Sequence, residues 1–200
     1  SEPFRDKIGQ LNKFYYPLCQ SIYKTYIKDK KTKIIGLTGG QGSGKSTMSN
    51  ILKIILENGF NLKTAIFSID DFYKTYQERK IMSNNVSTLF LTRGVPGTHD
   101  TKLLKKCLKK LKSSNFRYIS IPRFDKSRDD RSPKKNWQII KKKQDIVIFE
   151  GWCVGVAPQK NKDLIVPINE LEKEKDKKRV WRSRVNKAVS YTHLTLPTTS

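Results

Sequence analysis

The sequence predicts an α/β fold, a three-layer αβα sandwich around a mostly parallel sheet, and three observations carry that expectation. Apolar runs that read as strands (33–37, 64–69, 116–121 and 145–149) alternate with segments of helical period, which implies parallel pairing through right-handed crossovers. The junction after the first run is Gly39-Gly40-Gln41-Gly42-Ser43-Gly44-Lys45-Ser46-Thr47, a glycine loop that opens directly onto a helix. Three of the runs end in polar or acidic residues, at the edge where open α/β sheets place their ligands.

Size and composition narrow the field. The chain has 200 residues, enough for one domain with a proper core. No apolar run approaches the ~20 residues that span a bilayer, and the start, Ser1-Glu2-Pro3-Phe4-Arg5-Asp6, has no apolar leader segment. Cys19, Cys107 and Cys153 are scattered and include no C-x-x-C pair. That argues against a disulfide framework or a zinc site and for a cytoplasmic, reducing compartment. The net charge of +23 is a field that attracts anions. It comes mostly from lysine blocks such as 28–33 and 141–143, which lack interleaved aromatics or any nucleic-acid module. We therefore expect no nucleic-acid or membrane partner, and at most some steering of anionic small molecules.

Taken in order, residues 1–32 form a helical extension. Ile8, Leu11, Phe14, Tyr15, Leu18, Ile22 and Tyr26 recur at helical spacing across Pro17, predicting one kinked helix or two short ones whose apolar stripe packs on the core. The strand at 33–37 leads into the glycine loop, which fits G-x-x-x-x-G-K-[ST] through Gly39, Gly44, Lys45 and Ser46. Loop amides cradle a phosphate chain, Lys45 reaches the β- and γ-phosphates, and the Ser46 hydroxyl ligates Mg²⁺. The helix from Thr47 presents Met48, Ile51, Leu52, Ile55 and Leu56 on one face. Strand, loop and helix N-terminus together predict the nucleotide site of a P-loop NTPase, spanning Gly39, Gly40, Gln41, Gly42, Ser43, Gly44, Lys45, Ser46 and Thr47.

After a helix-ending turn at 58–61, the second strand (64–69) ends on Asp70-Asp71-Phe72-Tyr73. Residues 74–99 read as irregular and polar. Asp100 caps a helix whose apolar face is Leu103, Leu104, Cys107, Leu108 and Leu111. A third strand at 116–121 runs into the charged loop 122–131, and a fourth at 145–149 ends in Glu150-Gly151-Trp152. Residues from about 189 onward, Val189-Ser190-Tyr191-Thr192-His193-Leu194 and the rest, are uncharged and aperiodic. They resemble the in-frame translation of a sequencing adaptor and are set aside as a scar, so His193 receives no role.

Phosphoryl transfer needs a phosphate cradle, a carboxylate near Mg²⁺ and a residue that handles the acceptor hydroxyl. Glu150 stands where a Walker-B carboxylate belongs, sharing the metal with Ser46. Asp70, ahead of Asp71, is placed to accept or orient the acceptor proton. The competing reading is that both aspartates only cap the next turn.

These strings together are similar to a known family. Ser68-Ile69-Asp70-Asp71-Phe72-Tyr73, Arg93-Gly94-Val95-Pro96-Gly97-Thr98-His99-Asp100, Pro122-Arg123-Phe124-Asp125-Lys126-Ser127 and Phe149-Glu150-Gly151-Trp152 follow the glycine loop in that order. This resembles the D-glycerate 3-kinases of the uridine kinase and phosphoribulokinase group, over about residues 33–188. The resemblance implies an ATP-dependent small-molecule kinase using Mg²⁺, with D-glycerate as acceptor, Lys45, Asp70 and Glu150 as catalytic residues, and Asp71, Tyr73, Arg93, His99, Arg123 and Asp125 around the acceptor. A guanidinium fork at Arg93 or Arg123 suits the carboxylate of glycerate. For His99 a loop histidine bonded to nearby backbone is an equal reading. Lys126, Arg128 and Arg131 read first as a solvated charge run, the alternative being contact with phosphates when a loop closes. Family members continue well past this point, so the chain is expected to be truncated at its C-terminus, without part of the adenine pocket and lid. The alternatives are another acceptor (a nucleoside, a pantothenate-like acid or a sugar phosphate), a nucleic-acid-binding P-loop ATPase, or an ATP-binding protein without acceptor activity.

Overall fold

The computed structural model describes residues 6–113 and 115–193. Its centre is a three-stranded parallel sheet in the order β1 (Lys33–Thr38), β7 (Ile146–Gly151), β2 (Thr64–Ser68). The middle strand is buried along its whole length, as its unbroken apolar run requires of a strand covered on both faces. Side chains alternate across it. Ile146 and Ile148 join a cluster with Cys19 and Ile22 of α2 (Tyr16–Ile27) and Leu52 and Leu56 of α3 (Lys45–Phe60). Val147 and Phe149 join the opposite cluster, with Leu104, Cys107, Leu108 and Leu111 of α5 (Thr101–Lys112). Helix, sheet and helix thus form the expected three layers.

Several elements follow the sequence closely. Asn61 takes a left-handed conformation to end α3, and Asp100 caps α5 by accepting from Leu103 N at 3.0 Å. Others differ. The N-terminal segment comprises α1 (Lys7–Gln10), a π turn (Leu11–Tyr15) and α2. Pro17 has no N–H to give the ladder, and immediately before it Tyr16 N donates to Leu11 O, five residues back. The extra residue rotates the two halves of the stripe out of line. Ile8, Leu11, Phe14 and Leu18 of the expected stripe are exposed, and the packed face is Tyr15, Cys19, Ile22, Tyr23 and Tyr26.

Residues 74–99 are not irregular: they contain α4 (Tyr76–Asn85) and a 3₁₀ turn at Thr88–Phe90. A capping box starts α4, with Glu78 N donating to Thr75 Oγ1 and Thr75 N to Glu78 Oε2. The helix has no apolar stripe, so its period is silent in the sequence. Its one buried residue is Arg79.

The third predicted strand shrinks to β3 (Ile119–Ile121) and leaves the parallel sheet, pairing antiparallel with β6 (Gln138–Ile140). Ile119 and Ile121 alternate with Ser120, the one-sided pattern of an antiparallel strand. The charged loop at 122–131 holds a small hairpin, β4 (Phe124–Asp125) with β5 (Asp130–Arg131). At the C-terminal end lie α6 (Glu170–Lys175) and α7 (Val180–His193). Helix α7 continues past 189, where the sequence sets the tail apart, and Val189 is buried. Residues 194–200 of that tail lie outside the described residues.

Candidate active site

The three parallel strands end level: Leu37 of β1 and Ser68 of β2 both pair with Glu150 of β7. This brings the glycine loop, Glu150 and the segment after β2 to one edge. In the loop, Gly44 has φ +81°, a left-handed position that glycine adopts without strain. It is also the N-cap of α3, where no side chain bonds the first-turn amides. Those N–H groups have no carbonyl partner within the helix and form an anion site. Lys45 Nζ lies across the loop, donating to Gly40 O at 2.7 Å.

The period of two explains the next contact. Glu150 falls on the same face of β7 as Ile146 and Ile148, which is the face that α3 covers. Ser46, in the first turn of α3, therefore meets it, with Oγ donating to Glu150 Oε1 at 2.9 Å and Oε2 at 3.3 Å. Two hard oxygen donors at a phosphate cradle fit Mg²⁺, which keeps several waters and substrate oxygens and asks few protein ligands. Among the described residues there is no cluster of three or more His, Cys, Asp or Glu that could hold a metal by itself.

The two aspartates after β2 separate clearly. Residues Ile69–Phe72 form a 3₁₀ turn, begun by Ser68 Oγ accepting from Asp70 N at 3.2 Å. The turn lies hard against the end of β7, since a Cβ on Gly151 would come within 2.4 Å of Ile69 Cγ2. Asp70 points outward, its carboxylate 3.0 Å from Lys126 Nζ. Asp71 turns inward, where Oδ2 accepts from Arg123 and Oδ1 from Phe124 N. Burial pushes the Asp71 carboxyl up, against the pull of Arg123 and the Phe124 amide.

Tyr73 and His99 form a closed pair. Their backbones meet in an isolated bridge, and their rings stack with centroids 4.3 Å apart. Both are buried, and neither His99 nitrogen has a hydrogen-bond partner; the expected backbone hydrogen bond is not formed. Burial, and then the Asp70 carboxylate, raises the Tyr73 phenol. Burial lowers His99 from 6.5 to about 4, with the Asp70 charge opposing and that of Lys74 assisting. A histidine lowered in this way binds its proton more tightly in the unfolded chain. Its contribution to stability is complete above pH ~6.5 and is lost as pH falls toward about 4. Between pH 7 and pH 5 the protein is expected to lose roughly 2 kcal/mol through this residue. His99→Phe, which keeps the ring stack, should flatten that part of the profile in urea unfolding at the two pH values.

Of the two arginines expected near the acceptor, Arg123 is half-exposed on Asp71. Arg93 shares Asp129 with Arg79: Arg93 bonds Oδ1 and Arg79 bonds Oδ2 at 2.8 Å. Arg79 is fully buried and also donates to Leu91 O at 2.6 Å and Lys74 O at 3.4 Å. Burial alone would raise Asp129, but the hydrogen bonds from Arg79 and Arg93 hold its carboxyl below the usual range. Asp125 is turned into its own loop, accepting from Ser127 N, Ser127 Oγ and Arg128 N, and these bonds hold it low. Sequence reasoning missed Arg79, Asp129 and the Trp152 indole, which donates to Gly94 O at 3.0 Å. Only the T-x-x-E box ahead of Arg79 offered a signal. The three cysteines are buried and free, with thiols raised to about 11 by burial, and supply no nucleophile.

A glycine loop at a parallel-strand edge, with a serine–glutamate pair at its mouth, is the arrangement of a P-loop nucleotide-binding fold. The chain belongs to the phosphoribulokinase/uridine kinase family, whose model matches residues 34–191. It is 39% identical over 132 residues to the uncharacterized kinase mug58 of Schizosaccharomyces pombe, covering 62% of this chain and 47% of that one. It is 36% identical over 136 residues to a uridine kinase of Streptococcus mutans, covering 68% and 59%. Among solved structures, it resembles a D-glycerate 3-kinase from Cryptococcus neoformans with a TM-score of 0.73 and 28% identity, covering 90% and 69%. The chain spans about half the length of these curated relatives.

Proposed function

We propose that this chain carries the phosphate-binding and acceptor-binding parts of an ATP-dependent kinase acting on D-glycerate in the cytoplasm. Kinase chemistry follows from the family, and no helix among the described residues is long and apolar enough to cross a membrane. The observation that carries the acceptor reading is the pairing of Arg79 and Arg93 on the single carboxylate of Asp129. That group keeps one net positive charge, with both guanidiniums over the Phe124 ring, a setting that favours an anionic acceptor over a neutral nucleoside.

In this reading Lys45 and the loop amides bind the ATP phosphates, and Ser46 and Glu150 hold Mg²⁺. Held by Ser46 and Glu150, Mg²⁺ would supply positive charge to offset the negative charge of the phosphates. Asp70 takes up or orients the proton of the acceptor hydroxyl while that oxygen bonds to the γ-phosphorus. The bond from the γ-phosphorus to the bridging oxygen breaks, and its electron pair leaves with ADP. Asp71, Tyr73 and Asp125 shape the floor and rim, and His99 supports Tyr73 from behind.

The test is ADP release by the full-length protein on addition of D-glycerate, with L-glycerate, uridine and pantothenate in parallel. Turnover with D-glycerate alone is expected. Turnover with uridine alone overturns the acceptor assignment and leaves the kinase.

A further inference from the structure

Three cations lie in the hairpin segment 126–131, and the structure gives them different work. Arg131 is nearly buried and ties the fold, donating to Tyr73 O at 2.8 Å and reaching Asp100 at 3.4 Å. The Arg128 side chain is 79% exposed, with Nε 3.7 Å from Asp125 Oδ2. Lys126 alone reaches the reaction centre, with Nζ 3.0 Å from Asp70 Oδ2.

The segment that delivers Lys126 is pinned on both sides. Ahead of it, Asp71 holds the Phe124 amide and Arg123, and the Phe124 ring meets Tyr73 edge-on with centroids 5.2 Å apart. Beyond it, Asp129 is gripped by Arg79 and Arg93. Asp125 closes the turn between them through Ser127 and Arg128. A solvent-exposed lysine–aspartate pair is worth at most about 1 kcal/mol, so stability does not account for so much anchoring. Electrostatics does. Asp70 is a carboxylate at which a triphosphate and an anionic acceptor must converge, and like charges repel unless a cation stands among them.

We propose that Lys126 is a positioning residue for phosphoryl transfer. Its ammonium holds Asp70 Oδ2, on a carboxylate that the Tyr73 phenol also hydrogen-bonds, and offsets the repulsion between Asp70 and the incoming phosphoryl group. The inference rests on the reading of Asp70 given above.

The experiment is steady-state kinetics of the full-length protein with Lys126→Ala, Lys126→Arg, Arg128→Ala and Asp70→Asn. Lys126→Ala is expected to lower kcat roughly tenfold to a hundredfold, the loss that follows misplacing a reacting group. KM for ATP should stay within about twofold, because Lys126 does not touch the glycine loop. Lys126→Arg should restore most of the rate, and Arg128→Ala should behave as wild type. Lys126 is exposed, so an unchanged melting temperature is expected and separates kinetic from folding effects. An unchanged kcat in Lys126→Ala overturns the proposal. A raised kcat does so too, and makes Lys126 a mask over Asp70. Loss of activity in Asp70→Asn alongside a normal Lys126→Ala defeats this inference only, whereas full activity in Asp70→Asn defeats the Asp70 reading itself.

Discussion

Replacing Lys45 with alanine is expected to lower kcat by about a hundredfold to a thousandfold, the scale of losing one preorganised donor to transition-state charge. Lys45 is the first residue of α3 and projects from the point where the helix amides converge. Its ammonium reaches back across the loop to Gly40 O, so it lies within the space a phosphate chain must enter. Both the helix dipole and this point charge act on the same anion, and removing the lysine leaves only the fractional charge of the amides. The side chain is half-buried and makes no ion pair among the described residues, so the melting temperature should move little. Unchanged turnover in Lys45→Ala would end the kinase mechanism assigned to this loop.

Asp70→Asn is the second large effect, with kcat expected to fall by about 10²- to 10⁴-fold, the range of a lost general base. Asparagine preserves the size of the side chain and its place in the Ile69–Phe72 turn but accepts no proton. The turn is secured by Ser68, by Gly151 against Ile69 and by the inward Asp71, none of which needs the Asp70 charge. ATP binding, followed by fluorescence of a labelled nucleotide, should persist. Asp71→Asn serves as the contrast: it loosens Arg123 and the Phe124 amide, so its effect should appear as lower stability and a higher acceptor KM. Equal kcat losses in the two variants would show that the turn, and not Asp70 in particular, is what matters.

Much of this site is legible before any coordinates. The glycine loop is contiguous, and its backbone amides, lysine and serine are neighbours in the chain, so local sequence specifies it. Glu150 follows from the same logic, because a fully apolar run marks a central parallel strand and the polar residue ending it must emerge at the ligand edge. The Asp100 cap and the apolar face of α5 are equally local. The N-terminal stripe misled because one π turn changes the phase of everything on one side of it. Helix α4 escaped because a helix held by a buried arginine carries no apolar period.

What the tertiary structure alone decided is who pairs with whom. Nothing near Arg93 in the chain announces Asp129, and nothing near Lys126 announces Asp70, because these contacts join residues that are 36 and 56 positions apart. The departure of β3 from the main sheet and the closing of His99 beneath Tyr73 are of the same kind. Sequence by itself determined the features that lie within a few residues of one another: the glycine loop with its lysine and serine, and the acidic strand ends. The fold decided which carboxylates stand at the open strand edge and which are consumed in holding the hairpin and loops. Those roles depend on the partners that packing brings within hydrogen-bond reach, and a carboxylate's own neighbours in the chain do not specify them.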